Sequence, residues 1–66
     1  YKRQPDDTVT EAVSQLPRDQ REAIYLHYYE GYSIREIAAV LHVRPGTVGS
    51  RLSRGREMLK GVLRNE

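Results

Sequence analysis

Two short helical segments separated by a tight turn constrain the fold of this chain more than any other feature. In the first, residues 33–41, Ser33 and Glu36 have the spacing of a capping box, and apolar residues follow three and four positions apart. The second begins with Pro45 at its first helical position and extends to about Leu63. Two helices joined in this way predict a helix-turn-helix, a motif that places its second helix in the major groove of DNA.

Two more helices are expected before this motif. Thr8 and Glu11 also have capping-box spacing, so the first helix should run from Thr8 to about Gln15. Pro17 suits the first position of a second helix, which should extend to about Glu30.

The fold class follows from these helices. Gly31 is typical of the residue just beyond a helix end. No segment shows the alternation of apolar and polar residues that is typical of a strand. We therefore predict an all-α fold, a small four-helix domain over residues 8–64 with a winged-helix-like three-helical core, no sheet and a C-terminal helix-turn-helix. Residues 1–7 are predicted to be a linker or tail. The expected apolar faces are formed by Val9, Ala12, Val13, Leu16, Ala23, Ile24, Leu26, Ile34, Ile37, Ala38, Leu41, Val48, Leu52, Gly55, Leu59 and Val62.

Composition excludes several classes of function. The chain has 66 residues and no cysteine, so we expect one domain without disulfides or thiolate metal sites. His27 and His42 are too far apart in sequence to suggest a local metal pair, and no nucleophile–base pair is visible. We therefore expect no enzyme, with no catalytic residue, metal or cofactor. No apolar run approaches the roughly 18 residues of a membrane span, so we expect no membrane partner and a cytoplasmic location.

Positive charge is concentrated in the last third of the chain. Residues 1–43 contain five basic and seven acidic residues, whereas residues 44–64 contain six basic residues and one acidic residue. The net charge of the whole chain is only +2. A basic C-terminal helix is the distribution expected of a surface that faces phosphates.

The last helix should present one face to DNA. If Val48 and Leu52 point inward, 3.6 residues per turn directs another set of residues outward. These are Gly46, Ser50, Ser53, Arg54 and Glu57. Arg54 can donate two hydrogen bonds to a guanine, and the serine hydroxyls can contact a base or a phosphate.

The two flanks of this face differ in their residues. Thr47 and Arg51 on one flank suit phosphates, as do the amides of residues 46–48 at the positive end of the helix dipole. The other flank carries Gly49, Arg56 and Lys60. Arginines on a helix often form only a solvated face, and this alternative stays open above all for Arg56 and Lys60.

Two other features are expected to be structural. Tyr25, Tyr28 and Tyr29 surround the expected core contacts of the second helix and cannot all face inward, so we expect them in the core and at its rim. An exposed remnant of this cluster could bind a protein. Gly55 is expected to let two helices approach closely.

The motifs as a set cover residues from about 8 to 63. They are Leu16-Pro17 with Arg21; Tyr29-Glu30-Gly31-Tyr32-Ser33 with Glu36, Ile37, Ala38 and Leu41; and Gly46-Thr47-Val48 with Ser50, Arg51, Leu52, Arg54, Gly55, Arg56 and Leu59. This set closely resembles region 4 of bacterial sigma factors, and the extracytoplasmic-function (ECF) type is the best match.

The resemblance implies a function and partners. It implies a domain of an alternative sigma factor that docks on the β flap of the RNA polymerase core and reads the −35 promoter element with its last helix. An anti-sigma factor is a further implied partner. A domain for the −10 element would either lie upstream in a longer protein or not exist.

The resemblance also implies roles for individual residues. Ser50, Ser53 and Arg54 match base-reading positions, and Thr47, Arg51 and Arg56 match phosphate or near-groove positions. Arg35 and Glu36 lie where the family often contacts the DNA backbone or stabilises the motif. The candidate DNA-binding residues are therefore Arg35, Gly46, Thr47, Ser50, Arg51, Ser53, Arg54 and Arg56.

Two positions depart from the family pattern. Gly49 stands where the family commonly has Lys or Arg, which removes a DNA contact and lowers helix propensity by up to about 1 kcal/mol relative to alanine. Arg44 stands where a serine N-cap is common, and its side chain cannot accept the amide hydrogen bond that a serine accepts. Both departures bear on the strength and sequence preference of DNA binding.

Two alternatives remain at this point. LuxR-type response-regulator effector domains also have Glu-Ile-Ala and Thr-Val in similar places, but they usually continue with Lys-x-His and lack the Leu-Pro before the second helix. The other alternative is a module that mainly binds protein, namely the polymerase flap or an anti-sigma factor, and has weak DNA affinity of its own.

Overall fold

The computed structural model describes the backbone of residues 5–64 and the side chains of residues 9–61. This part of the chain folds into four α-helices, with a π-helix continuing the second. α1 spans Pro5–Ser14, α2 Arg18–Ile24, the π-helix Tyr25–Tyr29, α3 Ile34–Leu41 and α4 Pro45–Arg64. No strand occurs in residues 5–64, so the predicted all-α, four-helix fold with a C-terminal helix-turn-helix is confirmed. None of the described helices is both long and apolar enough to span a bilayer.

α1 begins before its predicted start at Thr8. Its first residue is Pro5, which suits this position because the amides of a first helical turn have no partner within the helix. Thr8 consequently lies inside the helix, so its predicted position as the N-cap is wrong, while its side chain lies outside the described residues. Residues 5–7, predicted as tail, are helical. Residues 1–4 lie outside the described part, and the domain boundary itself stays a prediction.

The second helix changes its winding before it ends. Pro17 precedes the first helical residue instead of occupying that position, with φ −53° and ψ 149°. Over Tyr25–Tyr29 the turns are π-helical, and the Glu30 N–H donates to the Tyr25 carbonyl at 3.2 Å. The helix predicted to extend to about Glu30 is therefore present as far as Tyr29, but its last five residues are π-helical. No Gly or Pro within Tyr25–Tyr29 signals this wider turn. Gly31 follows with φ 78°, as predicted for the residue beyond the helix end.

Hydrogen bonds at both ends fix α3. The Glu36 N–H donates to the Ser33 hydroxyl at 3.1 Å, and the Ser33 N–H donates to the Glu36 carboxylate at 2.8 Å, so this capping box is confirmed. The chain then turns through His42, whose φ of 59° lies in the left-handed region. The Val43 N–H donates to the Ala38 carbonyl at 3.0 Å. This tight turn leads directly into α4.

The core lies where α2, α3 and α4 meet, with α1 packed against α4. Its buried side chains are Ala12, Val13, Leu16, Ala23, Ile24, Ile37, Ala38, Val48 and Leu52. Leu26, Leu41, Val43 and Leu59 pack against them and are partly buried. Val9 and Ile34, which are expected on the apolar faces, lie outside the buried core, at 37% and 38% exposure. The spacing of apolar residues predicts an apolar face along the whole of each helix. Neighbouring helices cover only part of that face, so some of its residues stay exposed. The side chain of Val62 lies outside the described residues.

Candidate nucleic-acid interface

The orientation of α4 is set by its inner face. Val48 and Leu52 are almost completely buried, at 0% and 1% exposure. Gly55 is also buried and lies against Ile24 and Gln20 of α2, as expected of a small residue at a helix crossing. The predicted inner face is therefore confirmed, and the opposite face of α4 must point into solvent.

The outer face of α4 carries the residues predicted to read bases. Ser50, Ser53 and Arg54 are all exposed and fall within about one and a half turns of the helix. Gly46 and Thr47, one turn earlier, are exposed as well. The structure thus brings five of the predicted site residues onto one accessible surface. Their contacts with DNA stay predictions.

Two backbone amides at the start of α4 already donate hydrogen bonds within the chain. The Thr47 and Val48 amides donate to the Arg44 carbonyl at 3.0 and 3.2 Å. These two amides thus have an acceptor within the chain, and their contact with a phosphate oxygen stays a prediction. Arg44 therefore contributes to this helix start through its carbonyl group, a role that any residue could fill.

Arg51 has a partner that sequence reasoning did not identify. Its Nε lies 3.8 Å from Oδ2 of Asp19 on α2, and its side chain is 26% exposed. The other oxygen of Asp19, Oδ1, accepts a hydrogen bond from the Gln20 N–H at 2.9 Å. The sequence placed Asp19 only near the positive end of its own helix, because the crossing of α2 over α4 is a tertiary feature.

Arg56 is directed towards a different surface. Its Nη1 donates to the Tyr28 hydroxyl at 2.8 Å, across to the π-helix. Its neighbours there include Val9 and Leu59, which line a shallow apolar groove. Arg56 therefore lies on the flank of α4 that turns away from the base-reading residues, and its predicted phosphate contact stays a prediction.

Residues of α3 contribute in two ways. Arg35 is exposed, so the predicted backbone contact is sterically open to it. Glu36 is engaged in the capping box, where hydrogen bonds from the Ser33 backbone and then its side chain lower the pKa of the Glu36 carboxyl below its ordinary value. Of the two roles considered for Glu36, the geometry shows the stabilising one.

Tyrosines form a second exposed surface. Tyr25, Tyr28 and Tyr29, here called the tyrosine surface, are between 46% and 52% exposed. Tyr25 and Tyr29 make an edge-to-face contact with ring centroids 5.2 Å apart. The expectation that part of this cluster lies in the core is wrong, since each of these three side chains is at least 46% exposed.

The side chain of His27 joins the π-helix to the loop that follows it. Its Nδ1 lies 2.8 Å from the Tyr32 carbonyl, and since a carbonyl only accepts, Nδ1 must carry the hydrogen. The histidine thus acts as a structural donor. Within residues 9–61, no group of three or more His, Cys, Asp or Glu side chains is arranged to hold a metal ion.

Comparison with known proteins identifies the family. A family model described as "Sigma-70, region 4" matches residues 6–59. The chain is 43% identical over 56 residues to the RNA polymerase sigma-H factor of Pseudomonas aeruginosa, covering 85% of this chain and 29% of that protein. It is 37% identical over 59 residues to the ECF RNA polymerase sigma factor SigW of Bacillus subtilis, covering 89% of this chain and 32% of that protein.

A solved structure gives the same result. The sigma factor RpoE, in complex with the anti-sigma factor NepR from Bartonella quintana, superposes with a TM-score of 0.84 at 36% identity. The match covers 97% of this chain and 40% of that chain. These similarities favour the sigma-factor interpretation over the LuxR-type alternative. The chain spans less than a third of the length of the two curated relatives above.

Proposed function

Because this chain belongs to the sigma-70 region 4 family, with relatives of the ECF type, we propose that it binds the −35 element of promoter DNA as part of an alternative sigma factor. It would act in the cytoplasm, where it directs RNA polymerase to initiate transcription. The contribution of this domain is recognition, and no catalytic step is assigned to it.

The accessible outer face of α4 is the observation that carries this proposal. Burial of Val48 and Leu52 fixes the rotation of the helix, and Ser50, Ser53 and Arg54 then share the opposite side. An α-helix with this face fits the width of the major groove of B-DNA. Arg54 is the residue we expect to set sequence preference, since its guanidinium can donate to O6 and N7 of one guanine.

The remaining site residues are assigned to positioning on the DNA backbone. Gly46 and Thr47 lie at the start of α4, where the positive end of the helix dipole attracts phosphate. Arg51 and Arg56 lie on opposite flanks of the helix, and Arg35 lies on α3. Phosphate contacts of this kind fix the register of a protein on DNA without reading sequence.

A protein-docking role is the second candidate function, and the tyrosine surface favours it. Its tyrosines are exposed, and beside it lies the apolar groove that includes Val9 and Leu59. Aromatic side chains are enriched in protein interfaces. We propose the β flap of RNA polymerase as the partner of this surface, with an anti-sigma factor as a competing partner.

Binding to matched and scrambled duplexes tests the DNA proposal. The matched duplex is selected by the chain itself from a pool randomised at the contacted base pairs. Arg54→Ala should lose about 1 to 3 kcal/mol of binding free energy on the matched duplex and much less on the scrambled one. Lys60→Ala is the control, because it removes the same charge from a flank of the same helix. Equal losses for both variants on both duplexes would mean that Arg54 acts only through its charge.

Capture of the isolated β flap without DNA tests the second candidate. Tyr29→Ala should weaken capture and leave duplex binding unchanged, because Tyr29 lies away from the outer face of α4. Flap binding together with the absence of any duplex binding would make protein docking the main activity of this domain.

A further inference from the structure

The two oxygens of the Asp19 carboxylate, which is 55% exposed, have different partners: one accepts a backbone hydrogen bond and the other lies within ion-pair distance of Arg51. Oδ1 accepts the Gln20 N–H at 2.9 Å, and Oδ2 faces the Arg51 Nε at 3.8 Å. Asp19 is in the first turn of α2, where the helix dipole also favours a negative charge. The backbone of α2 therefore presents this anion to α4 at a defined place.

Arg51 is the residue that gains from this arrangement. It is next to Ser50 in sequence and on the flank of α4 that faces α2, with its side chain 26% exposed. A free arginine side chain samples many rotamers, and fixing it on a phosphate costs conformational entropy. An anion behind the guanidinium restricts these rotamers before DNA arrives.

We propose that Asp19 is a positioning residue for DNA binding, which holds Arg51 in the orientation that contacts a backbone phosphate. This inference rests on the proposed function, since it assigns a partner to one residue of the same interface. Asp19 itself touches no phosphate. It acts through Arg51 alone.

The sign of the effect separates positioning from simple charge. A carboxylate near DNA repels phosphates, so its removal should by charge alone strengthen binding. Positioning predicts the opposite, because an Arg51 released from Asp19 must be ordered during binding. Asp19→Asn keeps the size of the side chain and removes its charge, so the direction of the change in affinity decides between the two.

The experiment measures the affinity of the 66-residue chain for one fluorescein-labelled duplex of scrambled sequence, since phosphate contacts do not depend on sequence. Asp19→Asn should weaken binding about threefold, the size expected for one exposed ion pair. Glu30→Gln is the control, because it neutralises an exposed carboxylate just beyond the other end of the same helical segment, and it should not weaken binding. Arg51→Ala should weaken binding more than Asp19→Asn does.

The double variant then tests whether Asp19 acts through Arg51. In the Arg51→Ala background, Asp19→Asn should cause no further loss, because its only route is already removed. A further threefold loss there, or tighter binding by Asp19→Asn in the wild-type background, would overturn the inference while leaving the proposed function intact. Absence of duplex binding by the wild-type chain would instead remove the proposed function. The melting temperature of each variant is compared with that of the wild-type chain. If Asp19→Asn unfolds the domain, Asp19→Ser is used instead, because serine keeps a hydrogen-bond acceptor at the start of the helix.

Discussion

Gly55 of α4 lies so close to Ile24 of α2 that a Cβ added at Gly55 would come within 2.9 Å of Ile24 Cγ1. Ile24 is itself buried, at 2% exposure. This contact sets how closely the two helices cross, and the crossing in turn brings Asp19 to Arg51 on one side and Tyr28 to Arg56 on the other. The geometry of the proposed interface therefore depends on a residue with no side chain.

Gly55→Leu should destabilise the domain by about 1 to 3 kcal/mol, because the added side chain has no space between the helices. Gly61→Leu is the matched control on the same helix, since a Cβ at Gly61 meets nothing within 4 Å. It should stabilise the helix slightly through higher helix propensity. Urea denaturation of both variants measures the difference, and equal stability would mean that the two helices can separate without cost.

Leu52→Ala should lose roughly 2 to 5 kcal/mol of folding free energy, enough to unfold a domain of this size. The reason is the loss of a side chain that is only 1% exposed between the helices. Met58→Ala, at an apolar residue of the same helix that is 44% exposed, should change stability far less. An unchanged melting curve for Leu52→Ala would show that the inner face of α4 is assigned wrongly.

Stability should fall in acid partly through Glu36. Its carboxyl has a lowered pKa in the folded chain because it accepts the Ser33 N–H, so its contribution is complete above the ordinary pKa of 4.5 and is lost as the pH falls through the lower folded value. The advantage in melting temperature of the wild-type chain over Glu36→Gln at pH 7 should therefore shrink at pH 3. A difference that stays constant over this range would argue against a lowered pKa.

Gly49→Lys should tighten duplex binding at low salt, since the residue is next to Ser50 and a Cβ there meets nothing within 4 Å. One added phosphate contact should steepen the dependence of log affinity on log salt by about 0.9. Gly61→Lys adds the same charge near the other end of α4 and serves as the control. If both variants bind with the same affinity and salt dependence, residue 49 lies outside the interface.

Local features of this fold were predictable from the sequence. The capping box of Ser33 and Glu36, the helix start at Pro45 and the inner face with Val48 and Leu52 depend on contacts within one helix or on its period. The residues that point outward on α4 are predicted from the helical period of 3.6 residues per turn alone. The predicted start of α1 at Thr8 is wrong because Pro5, three residues earlier, occupies the first helical position.

Contacts between helices were not predictable in this way. The Asp19–Arg51 and Tyr28–Arg56 pairs depend on how α2 and the π-helix cross α4, and no spacing in the sequence encodes that crossing. The segment Tyr25–Tyr29 contains no Gly or Pro, so nothing in the sequence signals its wider turn or the exposure of Tyr25, Tyr28 and Tyr29.

The most direct test of DNA recognition is a salt titration of the 66-residue chain on the matched duplex and on its scrambled control. We predict tighter binding to the matched duplex at every salt concentration, with a slope of log affinity against log salt that corresponds to several neutralised phosphates, each contributing about −0.9. Equal affinity for the two duplexes at all salt concentrations, or no binding to either, would contradict the conclusion that the outer face of α4 reads promoter sequence.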